Sequence, residues 1–314
     1  MQQYYELILM PFPLGFSIKR LFTLFFGLIK TIISKRPNIL LSYPMYPLGF
    51  PSVLVTRMFR FTHISFAYGN DVTMQRSKLG KFISNLTIRL TDGIICDYPG
   101  LAKVVSAKGG RKVVSIPMGA IFPPETSKVP PKDPHTIVSV LNFNLAYWKG
   151  VDILLRAMVE LPQAYLILVG DGTFRGPMVD LTLKLGLQER VTFTGHITKE
   201  ELRSFLQASS IFVLATRTSF HEGTNRATLE AMYYGLPVVV TRVGGLPDLV
   251  QDDVNGIVIP PEDQPALIGA LMRLLTNHEL RERLGRANRE KAAQYSAVKM
   301  TLARHIYLSS FMKQ

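Results

Sequence analysis

A chain of 314 residues, 47% hydrophobic and 19% charged, has room for one large or two moderate domains and is too apolar to be disordered. Its formal net charge of +13 is lopsided, since residues 1–133 carry 17 Lys+Arg against 6 Asp+Glu. The single cysteine, Cys96, excludes an intrachain disulfide and any multi-cysteine metal site.

In chain order, Glu6–Met10 predicts a short strand, closed by a proline turn at residues 11–13. Residues 16–34, FSIKRLFTLFFGLIKTIIS, predict a helix. Its uncharged core, Leu21–Ile29, is far short of the roughly 20 residues that span a bilayer. It lacks the small-residue cleavage site of a signal peptide. Two readings stay open: a helix buried in the first domain, or an interfacial helix with Lys19, Arg20, Lys30, Lys35 and Arg36 toward lipid headgroups. Strand-like runs follow at residues 39–42, 64–67, 93–96 and 113–116, with helices at 51–61 and 79–90. Cys96, inside the third run, reads as a buried thiol, and the lack of a disulfide framework fits a reducing, cytoplasmic location.

The stretch IFPPETSKVPPKDP, residues 121–134, reads as an interdomain linker, after which the β/α alternation restarts. Strands are expected at 137–143, 165–169, 191–194, 211–214, 238–241 and 256–259, and helices at 151–160, 265–275, 278–294 and 297–312. The alternation implies parallel sheets. The expected domains are residues 1–130 and 131–296, followed by a terminal helix, 297–314. The basic excess suits nucleic acid, an anionic membrane surface or a phosphorylated acceptor. No nucleic-acid motif is present, and the basic residues are not interleaved with an aromatic platform. A membrane-facing or a merely solvated basic face remains.

The densest chemistry lies in HEGTNRATLEAMYYGLPVVVTRVGGLPDLV, residues 221–250. Glu222 and Glu230 stand a little over two helical turns apart and share roughly one face if both are helical. In α/β sheets, ligands sit at strand ends and the loops that follow. Trp148-Lys149-Gly150 stands at a predicted strand-to-helix turn, where a lysine and close backbone approach suit a diphosphate. Gly170-Asp171-Gly172 ends a strand, and Gly244-Gly245 exposes backbone amides. His196 and His221 have no partner at metal-ligand spacing, so no metal site is expected.

Taken together, Glu222-Gly223, Arg226, Leu229–Met232, Gly235–Val239 and Val243–Asp248 resemble the E-x7-E region of glycosyltransferase family 4, whose members are retaining enzymes of GT-B fold. The resemblance implies two Rossmann-like domains facing a cleft, with the terminal helix, 297–314, crossing back onto the first. It implies metal-independent transfer of a hexose from a nucleotide diphosphate-sugar, with no other cofactor, to a glycan or lipid-linked acceptor, as in cell-surface polysaccharide synthesis. Glu230 would bind the ribose, Glu222 the donor sugar and Lys149 the diphosphate. Gly150, Gly170, Gly223, Gly244 and Gly245 would border the donor pocket. In the first half, Tyr68-Gly69-Asn70-Asp71 resembles the family's His-Gly-x-Asp turn, placing Tyr68 and Asp71 on the acceptor side. Met118-Gly119 stands at the family's hinge position.

Three departures stand out. Asn144 replaces an arginine that would assist Lys149, and Tyr68 replaces the histidine. The family's opening strand and Gly-rich loop have no counterpart before Ile39, so the first domain is expected to be incomplete, by fragmentation or by trimming. A nucleotide-sugar-binding remnant without turnover is the alternative function. A GT-B sugar epimerase, which would not be expected to carry the E-x7-E run, is a third.

Overall fold

The computed structural model describes residues 18–73, 77–122 and 133–312, with side chains from residue 22 onward. The expected strand at 6–10, the proline turn and most of the proline-rich linker lie outside these residues. The chain divides into two compact units, residues 1–118 with 298–314, and residues 119–297. The division falls before the proline-rich stretch.

The first unit runs α1 (Ile18–Lys35), β1 (Ile39–Ser42), α2 (Gly49–Phe59), β2 (Thr62–Ala67), α3 (Asn70–Thr73), α4 (Lys78–Leu90), β3 (Gly93–Cys96), α5 (Pro99–Ala107) and β4 (Val113–Ser115). Its four strands are parallel in the order β1-β2-β3-β4. Sequential order with helical crossovers puts successive helices on one face of the sheet. There Ile94 and Cys96 pack with Ile88 and Leu101, while the alternate residue Ile95 packs with Leu308 on the other face. Burial pushes the Cys96 thiol up to about 12, so it is inert.

Helix α1 is buried along one side and exposed along the other. Leu28 and Ile32 are buried against Val55 of α2, whereas Phe22, Phe26 and Ile33 are exposed. Phe25 turns inward with the first set, although the interfacial reading would send it outward.

The second unit runs β5 (Thr136–Val140), α6 (Val151–Ala157), β6 (Tyr165–Val169), α7 (Arg175–Lys184), β7 (Val191–Gly195), α8 (Lys199–Ala208), β8 (Ile211–Leu214), α9 (Arg226–Tyr233), β9 (Val238–Thr241), α10 (Leu246–Leu249), β10 (Gly256–Ile259), α11 (Gln264–Thr276) and α12 (His278–Ala293). Helix α13 (Ala297–Ser309) then joins the first unit from Val298. The strand expected to reach residue 143 ends at Val140, because residues 143–145 close a 3-10 turn capped by Asn142. The six strands are parallel in the order β10-β9-β8-β5-β6-β7. The chain builds outward from β5 to β7, then returns to build from β8 to β10. β5 and β8 therefore flank a topological switch point, and the carboxyl ends of such strands splay their loops apart to leave a crevice.

Candidate active site

The loops after β5, β8 and β9 converge at this switch point. Lys149 follows β5, and Glu222 follows β8. Their side chains form an ion pair, each only 8% exposed. The Glu222 carboxylate also accepts hydrogen bonds from Thr216 Oγ1 at 3.1 Å and Asn225 Nδ2 at 3.2 Å. The Lys149 ammonium lies 4.9 Å from the centre of the Phe220 ring. A buried ion pair repays its desolvation only with good geometry and further hydrogen bonds, which these partners supply.

Glycines let the loops approach this closely. Gly150 has φ +67, and a Cβ there would lie 2.1 Å from the Ala215 carbonyl oxygen. Gly244 has φ +57, and its Cβ would lie 1.9 Å from the Glu222 carbonyl oxygen. The same oxygen accepts from Gly245 N at 2.8 Å, so the loop after β9 clamps the backbone of Glu222. Arg217 locks the β8 loop to the β5 loop through Tyr147 O at 2.8 Å and Asp152 at 2.6 Å. Gly223 lies half-buried between Glu222 and Asn225.

Glu222 and Glu230 do not share a helix face. Asn225 caps α9 by accepting from Thr228 N, so the helix starts after Glu222 and only Glu230 is helical. Seven intervening residues span a loop and a helix rather than two turns. Glu230 instead lines a cavity of about 330 Å3 with Arg226, Lys199, Arg203, Leu202 and Tyr234. Burial raises its carboxyl above the ordinary range, opposed by the charges of Arg226 and Lys199.

Asn144 and Gly170 form a separate cluster at the ends of β5 and β6. Asn144 Oδ1 accepts from Thr173 N at 2.8 Å and Thr173 Oγ1 at 2.9 Å, pinning the turn at residues 170–172. Gly170, at φ +129, places its α-carbon where a Cβ would meet Leu141 O at 1.9 Å. Asn144→Arg therefore has two effects. It adds the positive charge that the family resemblance expects at this position, and it removes the acceptor that holds the exposed Thr173, at a cost of about 0.5–1.5 kcal/mol per bond. Tighter diphosphate binding by calorimetry, together with a lower melting temperature, is the expected outcome.

In the first unit, Tyr68 stands half-buried at the end of β2, its ring 4.6 Å from that of Tyr43. Burial, and then Tyr43, push its hydroxyl above the ordinary phenol range, so it is a neutral hydrogen-bonding group without acid–base reach. Asp71 is buried, and its carboxylate accepts from the backbone N–H of Met45, Tyr68 and Gly69. Those bonds shape the turn that presents Tyr68. His221 is half-buried, which lowers its pKa, and His196 is exposed.

Thr216, Phe220 and Asn225 support the site without standing out in the sequence. Only Asn225 carried a local signal, as a helix-capping residue before an apolar-periodic run. Among the described residues, no group of three or more His, Cys, Asp or Glu is placed to hold a metal ion. A larger cavity, about 530 Å3, lies at the amino ends of the strands, beside Pro134, Ser210 and Pro237. Its arginines are engaged structurally: Arg281 donates to Leu274 O and Leu275 O, and Arg289 packs beneath Gly235.

Residues 124–291 match the family described as "Glycosyl transferases group 1". Over 221 residues the chain is 31% identical to a lipopolysaccharide core biosynthesis glycosyltransferase, LpsE, of Rhizobium meliloti, covering 68% of this chain and 63% of that one. The chain spans 35–63% of the length of the first three curated relatives it matches. Sucrose-phosphate synthase from Thermosynechococcus elongatus superposes with a TM-score of 0.82 at 22% identity, covering 94% of this chain and 79% of that one. HepE of Anabaena in complex with UDP superposes with a TM-score of 0.77 at 20% identity, covering 91% and 82%. These neighbours place the chain in the GT-B fold class.

Proposed function

Because the chain belongs to the group 1 glycosyl transferases, we propose that it is a retaining glycosyltransferase moving a hexose from a nucleotide diphosphate-sugar to a glycan or lipid-linked acceptor. The buried pair of Lys149 and Glu222 at the switch point carries this reading. Leaving-group departure concentrates negative charge on the diphosphate, and a fixed ammonium in a water-poor crevice stabilises that charge strongly. Lys149 serves this purpose, so the transfer needs no metal ion. When the donor enters, Lys149 turns to the diphosphate and frees Glu222 to accept hydrogen bonds from the sugar hydroxyls. There its negative charge supports the oxocarbenium-like transition state. Backbone amides near Gly223, Gly244 and Gly245 complete the donor pocket.

Glu230 takes the ribose hydroxyls, and the apolar wall of Leu202 and Leu206 in the same cavity takes the base. Similarity to lipopolysaccharide core enzymes supports an acceptor of the cell-surface polysaccharide type. A cytoplasmic site of action, on the inner face of the cell membrane, fits such an acceptor. Incubation with labelled UDP-, GDP- and ADP-sugars and analysis of the products tests the proposal. Transfer to an added lipid-linked or glycan acceptor supports it. Donor binding without transfer marks a nucleotide-sugar-binding remnant, which the substitutions at Tyr68 and Asn144 would favour. An isomerised donor marks an epimerase.

The raised pKa of Glu230 gives a pH signature of opposite sign for folding and for binding. A carboxyl whose pKa is higher folded than unfolded contributes stability below its ordinary value of 4.5, and that contribution is lost as pH rises through the folded value. Glu230→Gln should therefore melt higher than the parent at neutral pH, and the gap should close in acid. Nucleotide affinity of the parent should instead rise with pH over the same window, because ribose hydroxyls donate to the ionised form. Melting curves and calorimetry across that range check both. A pH-independent affinity would remove Glu230 from the ribose.

A further inference from the structure

We propose that the outer face of helices α1, α2 and α4 is a docking surface for an anionic lipid bilayer. Helix α2 packs against both α1 and α4, so the three form one layer. Phe22, Phe26 and Ile33 of α1, Met58 of α2, and Leu79 and Phe82 of α4 are each more than half exposed. On α1 these residues follow helical spacing along the side away from the buried Leu28 and Ile32, and Leu79 and Phe82 fall one turn apart on α4. The fold needs only the inner stripes. Six large apolar side chains exposed on three adjoining helices are more than the single scattered residues that an ordinary solvated surface shows.

Charge selects the occupant. Helices α1, α2 and α4 contain no Asp or Glu at all. Lys30, Lys35, Lys78 and Lys81 are exposed among the apolar residues. Aromatic side chains that enter the headgroup region, ringed by lysines that reach anionic phosphates, are the physical signature of a helix layer lying on a membrane. No helix among the described residues is long and apolar enough to cross one. A second copy of the chain fits poorly, because two such faces would bring like charges together. The proposal is independent of turnover in the other unit.

Co-sedimentation of the full chain tests it, with vesicles of phosphatidylcholine alone and of equal parts phosphatidylcholine and phosphatidylglycerol. Pelleting is expected with the anionic vesicles at low salt, falling steeply as salt shortens the screening length. Lys78→Gln and Lys81→Gln should each weaken it about fivefold. Phe22→Ser with Phe26→Ser should abolish it while the melting temperature stays at or above that of the parent, since neither ring is buried. Equal, negligible pelleting with both vesicle types overturns the proposal. Lipid-independent self-association removed by the same serine pair, without vesicle binding, assigns the face to a second copy and overturns it too. A serine pair that lowers the melting temperature as it abolishes pelleting makes the rings structural and overturns it as well.

Discussion

Lys149→Ala should be the most damaging single substitution in the second unit, for two separable reasons. It strands the Glu222 carboxylate in a site only 8% exposed, with Thr216 and Asn225 as remaining partners. Breaking a buried pair from one side costs about 3–5 kcal/mol of stability. It also removes the proposed cation at the leaving diphosphate, where the loss of one preorganised electrostatic partner costs about 100- to 1,000-fold in turnover. A double-mutant cycle separates the two effects. Lys149→Met combined with Glu222→Leu removes both charges and keeps the volume, so most of the stability should return in thermal melts while turnover stays lost. Recovery of both would reduce the pair to a structural contact. Glu222→Gln, which keeps Lys149 in place, should lower turnover more than nucleotide diphosphate affinity. Equal losses would make that side chain structural.

Gly244→Ala should be nearly as severe although it deletes nothing. The residue sits at φ +57, which costs an L side chain about 1–2 kcal/mol. Its new Cβ would lie 1.9 Å from the Glu222 carbonyl oxygen, a backbone atom that cannot rotate away. The loop after β9 must therefore move and release the Gly245 N–H bond to Glu222. A displacement of about 1 Å at a reacting group costs about 100-fold in rate. Steady-state kinetics should show that loss, with nucleotide affinity at Glu230 changed far less. Gly269→Ala is the internal control. It lies inside α11 with no atom within 4 Å of the added methyl, and should be neutral or stabilising by up to about 1 kcal/mol. Equal behaviour of the two alanines would sink the clamp.

The helical spacing applied to Glu222 and Glu230 shows where reading the sequence reaches its limit. Both glutamates stand in the pattern, but the spacing carried a shared helix face only if one helix contained them. Asn225 competes for that helix as a cap, and its side-chain bond to Thr228 N starts α9 downstream of Glu222. Asn144 shows the same limit from the other side. Its identity was legible as a missing positive charge. Its use as an acceptor for Thr173, 29 residues away, was not. On α1, a run that is apolar nearly all round could not say which side faces the sheet. That depended on Val55 of α2 arriving against Leu28 and Ile32.

By itself the sequence determined the two β/α alternations, the positions of most strands and helices, and the ordered run of residues 222–248 that marks the family. These follow from local periodicity, from turn residues and from spacing along one segment, all short-range properties of the chain. Only the tertiary structure decided that Lys149 and Glu222, 73 residues apart, would neutralise one another in a buried crevice. That meeting requires β8 to return beside β5 after the chain has built outward to β7. Strand order in a parallel sheet is set by how whole apolar faces pack, not by any residue near the site.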